Sequence, residues 1–206
     1  ALGFLTIMDD SEPYYAYVAA AEAADWNRRQ TMSYEWVLEQ ARDNNDTEVI
    51  QVLESIQPFD PTNLEHTAAK DQFLDRYRGG NTYTEGLWDR AVAYLAGGES
   101  PEYTAADVEK LMAGVPFSNQ TIGLEPAGSG YNLFEDFPVS PIPVHFFAGR
   151  HDHVTPGELA EEYYNVLDAP AKSFTWFEDS AHNMIWDEPD KTAQELIRIK
   201  NETLNP

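Results

Sequence analysis

The last third of the chain alternates between short apolar runs and segments with helical signals, and this alternation limits the folds that it can adopt. Pro143–Phe147 and Ser173–Phe177 have the length and composition of buried strands. Between them, a capping-box spacing at Thr155–Glu158, with proline at the first helical position, predicts a helix that runs through Leu167. Another helix is predicted over about 189–197. Because strands joined by a helical crossover lie parallel, we expect a parallel sheet covered by helices.

A long stretch before these strands, residues 26–114, has apolar residues at helical spacing instead. Ser33 is the predicted N-cap of a first helix, and Asp46 is the predicted N-cap of a second. Capping-box spacings at Thr62–Glu65 and Thr82–Glu85 predict two more helices.

The segments on either side of this helical stretch complete the prediction of the fold. Tyr14–Ala20 is aromatic and β-branched enough for a third buried strand, and Pro116–Pro143 lacks sustained periodicity, which is typical of a long connector. We therefore predict an α/β fold, a parallel sheet covered by helices with an inserted α-helical lid. Residues 1–25 and 139–206 are predicted to form the core, and residues 26–138 the lid and connector.

The charge of the chain excludes several classes of partner. Thirteen Lys and Arg against 36 Asp and Glu give a net charge of -23, so we expect no nucleic acid and no anionic membrane as a partner. No apolar run approaches the ~20 residues that cross a bilayer, which predicts a soluble chain. The absence of cysteine excludes disulfides and thiolate chemistry, and it leaves the compartment open, with the cytoplasm favoured over secretion.

Each of the two late strands is followed by a loop that carries side chains suited to catalysis. Asp152 lies in the loop after the first strand, and His182 lies in the loop after the second. Adjacent parallel strands bring such loops together at one edge of the sheet. An aspartate that accepts a hydrogen bond from one imidazole nitrogen leaves the other nitrogen free to act as a general base. Asp152 and His182 are therefore the candidate catalytic residues, two members of a nucleophilic triad.

These motifs carry a resemblance to a known superfamily. Pro143–Asp152 followed by Ser180–His182 resembles the acid strand and the histidine loop of the α/β-hydrolase fold, in which the acid also precedes the histidine. Ser33–Ala41 and Val52–Ile56 resemble the lid of proline iminopeptidase-like members, so the resemblance covers nearly the whole chain. It implies that the aspartate and the histidine act as triad acid and base. It also implies cleavage of a small peptide or ester substrate, on N-terminal residues in the peptidase case, with no cofactor.

The nucleophile of such a triad has no counterpart in these 206 residues. The Gly-x-Ser-x-Gly pattern does not occur, and Gly128-Ser129-Gly130 lacks its spacing. Ala1–Met8 resembles the beginning of the helix that follows this pattern in the superfamily. The resemblance thus implies the C-terminal portion of an α/β-hydrolase parallel sheet with its inserted α-helical lid, so that residues 1–25 and 139–206 form a partial core. We therefore expect the nucleophilic serine upstream of residue 1, in a longer chain or in an N-terminal fragment of the same enzyme present as a second chain. The 206 residues alone are predicted to be inactive.

Two other functions fit the same residues. A dehalogenase or an epoxide hydrolase shares the fold and the histidine but attacks with an aspartate. A non-catalytic binding or remnant module needs no nucleophile at all. The missing motif would distinguish the first alternative from a serine hydrolase, and the effect of His182→Ala on activity would distinguish the second.

The other histidines and a few acids are weaker candidates. His151 and His153 form a His-x-His pattern, but two histidines rarely hold a metal without a third ligand, so no metal site is predicted. His145 is predicted to be a packed or edge residue of a strand. Acids that could bind the amino group of a substrate include Glu22, Glu35 and Glu39.

Overall fold

A three-stranded parallel sheet in the order β1-β2-β3 organises the chain, whose computed structural model describes residues 2–96, 103–104, 106–110, 113–114 and 130–204. The strands are β1 (Tyr17–Ala20), β2 (Val144–Gly149) and β3 (Lys172–Phe177). The three predicted strands are present, and the α/β class with a parallel sheet is confirmed.

Helices occupy most of the remaining described residues, including residues 106–110 and 113–114. The others are α1 (Leu2–Asp9), α2 (Trp26–Asp43), α3 (Thr47–Ser55), α4 (Leu64–Asp71), a 3-10 turn (Asp75–Tyr77), α5 (Leu87–Ala96), α6 (Leu133–Asp136), α7 (Gly157–Val166), α8 (Met184–Asp187) and α9 (Pro189–Leu204). None of the described helices is both long and apolar enough to cross a membrane. We call residues 26–96 the helical segment.

The register of the sheet brings the carboxyl ends of β2 and β3 side by side. β2 and β3 pair from Val144 with Lys172 to Gly149 with Phe177, and β1 pairs with β2 on its other side. All six residues of β2 are buried, which explains why its sequence is mostly apolar, with His145 as its one polar side chain, and does not alternate between apolar and polar residues. In the part of the chain that the structure describes, β1 has a strand neighbour on one side only.

Helices cover the sheet on both faces, and alternate residues of β2 point to each. Val144 and Phe146 pack in one cluster with Phe4 of α1 and Tyr163 of α7. Phe147 packs in another cluster, with residues of β3, α8 and α9. The sheet is thus held between α1 and α7 on one face and α8 and α9 on the other.

The start of α2 differs from the prediction. The helix begins at Trp26, where the Asp25 carboxylate accepts a hydrogen bond from the Arg28 backbone N–H at 3.0 Å. Ser33 as N-cap is therefore wrong, because it lies inside the helix and is buried. Asp46 does cap α3, with its side chain 3.5 Å from the Val49 backbone nitrogen.

The three predicted capping boxes are also wrong. Asn63 caps α4, while the neighbouring Thr62 hydroxyl donates to Asp60 at 2.7 Å. The Thr82 hydroxyl donates to the Thr84 carbonyl, and α5 begins only at Leu87. α7 begins at Gly157 without a side-chain cap, because the hydroxyl of Thr155 is used elsewhere.

Part of the predicted connector contains a short helix and one bridge to the region before α2. Asn132 caps α6 and forms an isolated antiparallel bridge with Asp25, which joins the connector to the start of α2. Ala1, residues 115–129 and with them most of the Gly128-Ser129-Gly130 pattern lie outside the described residues.

Candidate active site

Asp152 is fixed in the loop that leaves β2. Its Oδ1 accepts the backbone N–H groups of Val154 at 2.9 Å and Thr155 at 2.8 Å, and its Oδ2 accepts the Thr155 hydroxyl at 2.7 Å. The Asp152 side chain is only 1% exposed. Buried carboxylates need such donors because desolvation penalises an unpartnered charge.

His182 comes from the loop after β3 and completes the environment of Asp152. Its Nδ1 lies 3.0 Å from Asp152 Oδ2, so the Nδ1–H donates to the carboxylate. The His182 side chain is 30% exposed, in contrast to the buried acid. With Nδ1 protonated and bonded, Nε2 carries the free lone pair of a general base. The structure therefore brings together the two candidate catalytic residues, which are 30 positions apart in the sequence.

Thr155 is a member of this cluster that the sequence analysis missed. Its hydroxyl donates its one hydrogen to Asp152, and its oxygen lies 3.2 Å from His182 Nδ1. The lone pairs of the hydroxyl therefore face the imidazole N–H. The capping-box spacing gave Thr155 a different role. The one sequence signal for its true partner is its position three residues after Asp152, an aspartate whose side chain commonly bonds the residues that follow it in a turn.

The loop after β2 (residues 150–156), which we call the acid loop, lies against the loop after β3 (residues 178–183), which we call the histidine loop. Where β2 ends and the acid loop starts there is no room for a side chain. A β-carbon on Gly149, the last residue of β2, would overlap the carbonyl oxygen of Ala181 in the histidine loop. The backbone N–H of His151 donates to the Ser180 carbonyl at 2.9 Å. The acid loop and the histidine loop are therefore in direct backbone contact.

The first helix of the helical segment packs on the acid loop. Arg29 Nη1 donates to the Val154 carbonyl at 2.9 Å, and the Ser33 hydroxyl donates to the His153 carbonyl. The Trp36 ring stacks on His153 with centroids 3.7 Å apart. Burial lowers the pKa of Arg29, although Tyr131 and the carboxylates of Asp71 and Asp152 oppose this effect. Burial also lowers the pKa of His153 to about 4, so this imidazole is neutral at pH 7.

The weaker candidates lie in other environments. His151 stacks on Tyr83 with centroids 3.7 Å apart, and His145 is buried with Nδ1 2.8 Å from the Ser173 hydroxyl. Among the described residues, no group of three or more His, Cys, Asp or Glu side chains is placed to hold a metal.

The three acids considered for an amino group are separated by their burial. Glu22 is buried and accepts the Tyr17 hydroxyl at 2.8 Å, whereas Glu35 and Glu39 are exposed on α2. Burial and the Glu22 carboxylate together raise the pKa of Tyr17.

The sequence of the chain is similar to that of a curated protein over about half of its length. No protein family model matches the chain. Over 97 residues the chain is 33% identical to a probable aminopeptidase, YbaC, of Bacillus subtilis (strain 168), a match that covers 47% of this chain and 30% of the relative.

Two solved structures superpose on 98% of the chain. One is an alpha/beta fold family hydrolase from Bacillus anthracis str. Sterne, with a TM-score of 0.52, 18% sequence identity and 63% of its length covered. The other is a proline iminopeptidase from Mycobacterium smegmatis, with a TM-score of 0.58, 14% identity and 62% of its length covered. The chain thus spans less than two thirds of each of these three proteins.

The predicted resemblance is confirmed at the level of the fold. The chain is α/β with a parallel sheet, and it superposes on two proteins of the α/β-hydrolase fold over 98% of its length. The chain has the α/β-hydrolase fold, and it supplies a part of that architecture.

Proposed function

We propose that this chain is the acid-and-histidine part of a serine hydrolase that cleaves an amide or an ester. The observation that carries the proposal is the hydrogen bond of 3.0 Å between His182 Nδ1 and the buried carboxylate of Asp152. The two residues lie in loops that follow the carboxyl ends of neighbouring parallel strands, where α/β sheets hold their functional groups.

The roles of the two residues follow from their hydrogen bonds. His182 Nε2 takes the proton of the nucleophilic hydroxyl as the serine oxygen attacks the substrate carbonyl carbon, and the same nitrogen then gives the proton to the leaving group. Asp152 holds the imidazole in the productive tautomer and stabilises its protonated form. Water repeats these steps on the acyl-enzyme to release the acid product.

The serine itself comes from a segment upstream of residue 1 in this proposal. That segment, in the same polypeptide or as a second chain, adds a strand beside β1 and covers the apolar surface next to it. Leu5 and Met8 of α1 are 54% and 47% exposed, and Tyr15 before β1 is 71% exposed. Exposed apolar side chains beside an unpaired strand edge are typical of a surface that another segment covers.

The division of the chain follows the same proposal. Residues 1–25 and 139–206 belong to the hydrolase core, and residues 26–138 form the lid and its connector. The 206 residues alone are inactive, because they contain no Gly-x-Ser-x-Gly pattern.

We propose small peptides as the substrates and aminopeptidase as the activity, with esterase as the related activity. Its support is the similarity to a probable aminopeptidase in sequence and to a proline iminopeptidase in fold. The chemistry requires no cofactor.

Labelling of the natural protein that carries this chain tests the proposal. A serine-directed fluorophosphonate is expected to label one serine upstream of residue 1, located by peptide mass spectrometry. His182→Ala should lower kcat/KM for peptide and ester substrates by about a thousandfold or more, because the general base is lost. The matched control is His66→Ala on α4, which should keep its activity.

The alternatives give different results. Activity that needs His182 without any labelled serine would identify an aspartate nucleophile. Absence of label together with equal activity in wild type and His182→Ala would refute catalysis and favour a binding or remnant module.

A further inference from the structure

A short stretch of the helical segment runs across both loops of the candidate active site. We call residues 79–84 the strap. The Gly79 carbonyl accepts the His153 backbone N–H at 2.9 Å, and the Gly80 carbonyl accepts the His182 backbone N–H at 3.2 Å. The Asn81 carbonyl accepts the backbone N–H of Asn183 at 2.9 Å. The backbone of His182 is therefore bonded directly to a segment that is about a hundred residues away in the sequence.

Two glycines let the strap pack closely against the rest of the helical segment. A β-carbon on Gly79 would overlap the Trp36 ring, and one on Gly80 would overlap the Asp75 carboxylate. Asp75 also accepts the Asn81 backbone N–H at 2.6 Å and the Asn81 side-chain amide at 2.8 Å. The first half of the strap is thus fastened to the 3-10 turn of the helical segment.

One carboxylate fastens the second half of the strap to the histidine loop. Asp187 Oδ2 accepts the backbone N–H groups of Tyr83 at 2.8 Å and Ala181 at 3.1 Å, and Asp187 Oδ1 accepts the Thr84 N–H at 2.9 Å. Ala181 directly precedes His182. Asp187 therefore links the residue before the proposed base to the strap that bonds the base itself.

The place of Asp187 in the fold explains how it reaches both segments. It ends α8, the single turn that follows the histidine loop, so its side chain folds back over that loop. The next residue, Glu188, accepts the Ser180 hydroxyl at 2.6 Å and the Asp179 N–H at 3.1 Å. Two neighbouring carboxylates thus bind the histidine loop, but only Asp187 also binds the strap.

We infer that Asp187 is a positioning residue for His182: its carboxylate joins the strap to the histidine loop and so fixes the imidazole at hydrogen-bonding distance from Asp152. The inference rests on the proposed function for its effect on catalysis. It also has a purely structural consequence, because the hydrogen bond between His182 and Asp152 depends on where the histidine backbone is held. Small displacements of a catalytic group lower the rate steeply.

Asp187→Asn is the direct test, in the complete natural protein. Both carboxylate oxygens accept backbone N–H groups, so an amide must place its NH2 against at least one of these donors. We expect kcat to fall about 10- to 100-fold, with KM changed by less than about twofold. The matched control is Asp179→Asn, which removes an exposed carboxylate from the same loop and should keep wild-type kcat.

A spectroscopic measurement separates positioning from a general loss of stability. The downfield proton resonance of His182 Nδ1–H, recorded well below the melting temperature, reports its hydrogen bond to Asp152. We expect this resonance to shift or broaden in Asp187→Asn and to be unchanged in Asp179→Asn. A melting temperature that falls while the resonance and kcat stay at wild-type values would overturn the inference.

Two further variants keep the outcome interpretable. If Asp187→Asn does not fold, Asp187→Glu keeps the charge but moves the carboxylate by one methylene, so it cannot keep all three bonds to Tyr83, Thr84 and Ala181 in place, and we expect it to lower kcat about threefold without changing KM. An Asp187→Glu protein with normal kcat and an unchanged His182 resonance would then refute the inference. His182→Ala is measured alongside. Full activity in His182→Ala refutes the proposed function. In that case the His182 resonance of wild type and of the Asp187 variants still reports whether Asp187 positions the histidine.

Discussion

Replacing Thr155 by valine removes one hydrogen bond to the buried acid while nearly preserving the shape of the side chain. The Thr155 hydroxyl donates to Asp152 Oδ2 at 2.7 Å in a site where Thr155 is 6% exposed and the Asp152 side chain 1%. A hydrogen bond to a charged group contributes about 1.5 to 3 kcal/mol. The two backbone donors and His182 remain, so the carboxylate keeps most of its partners. We therefore expect the free energy of unfolding to fall by about 2 kcal/mol.

Urea titration at pH 7, followed by tryptophan fluorescence, measures this change. For a chain of this length a loss of about 2 kcal/mol corresponds to a melting temperature lower by roughly 4 to 8 °C. Thr155→Ser is the control, because it keeps the hydroxyl and loses only a methyl group. Equal stability of Thr155→Val and wild type, or equal destabilisation by the serine and valine variants, would refute the role of this hydrogen bond.

Two further predictions concern the same loops. His153 has a pKa of about 4 in the folded protein against about 6.5 when unfolded, so the unfolded state binds the proton first and stability falls as the pH falls from about 6.5 to 4. His153→Phe, which keeps the stack on Trp36, should lose less stability than wild type between pH 7 and 5, and equal slopes in urea titrations would contradict this. Gly149→Ala should lower the free energy of unfolding by about 1 to 3 kcal/mol, since its β-carbon meets the Ala181 backbone. In the same titration the control Gly114→Ala, which meets open space, should cause no loss, and equal losses would refute the close approach.

The sheet and the pairing of acid with histidine could be predicted because their signals are local or topological. Pro143–Phe147 is a mostly apolar segment of strand length, and β2 does occupy the buried middle of the sheet. Once two strands are parallel, the loops after them must meet at one edge. The closeness of Asp152 and His182 follows from that rule alone, without any knowledge of their side-chain contacts.

The polar contacts that surround the pair could not be predicted. Most of them join residues far apart in the sequence, and the contact of Thr155 with Asp152 uses a hydroxyl whose position also suits a helix cap. Ser33 and Thr155 have the composition of helix caps, but Ser33 bonds to His153 and Thr155 bonds to Asp152. A capping signal reports what a hydroxyl does when no tertiary acceptor competes for it. The role of Asp187 has no sequence signal either, since its partners Tyr83 and Thr84 lie more than a hundred positions away.

The same contacts bear on how a proposed lid of this kind could move. The acid loop is bonded to α2 through Arg29 and Ser33, and the histidine loop is bonded to the strap. Each such hydrogen bond contributes about 1 kcal/mol, so breaking them together costs several kcal/mol, a large fraction of the roughly 5 to 15 kcal/mol that stabilises a whole domain. A swing of the entire helical segment away from the core would thus break the contacts that hold the acid and histidine loops, on which the proposed catalysis depends. We therefore expect α2 and the strap to stay in place during turnover, and substrate access to depend on other parts of the lid.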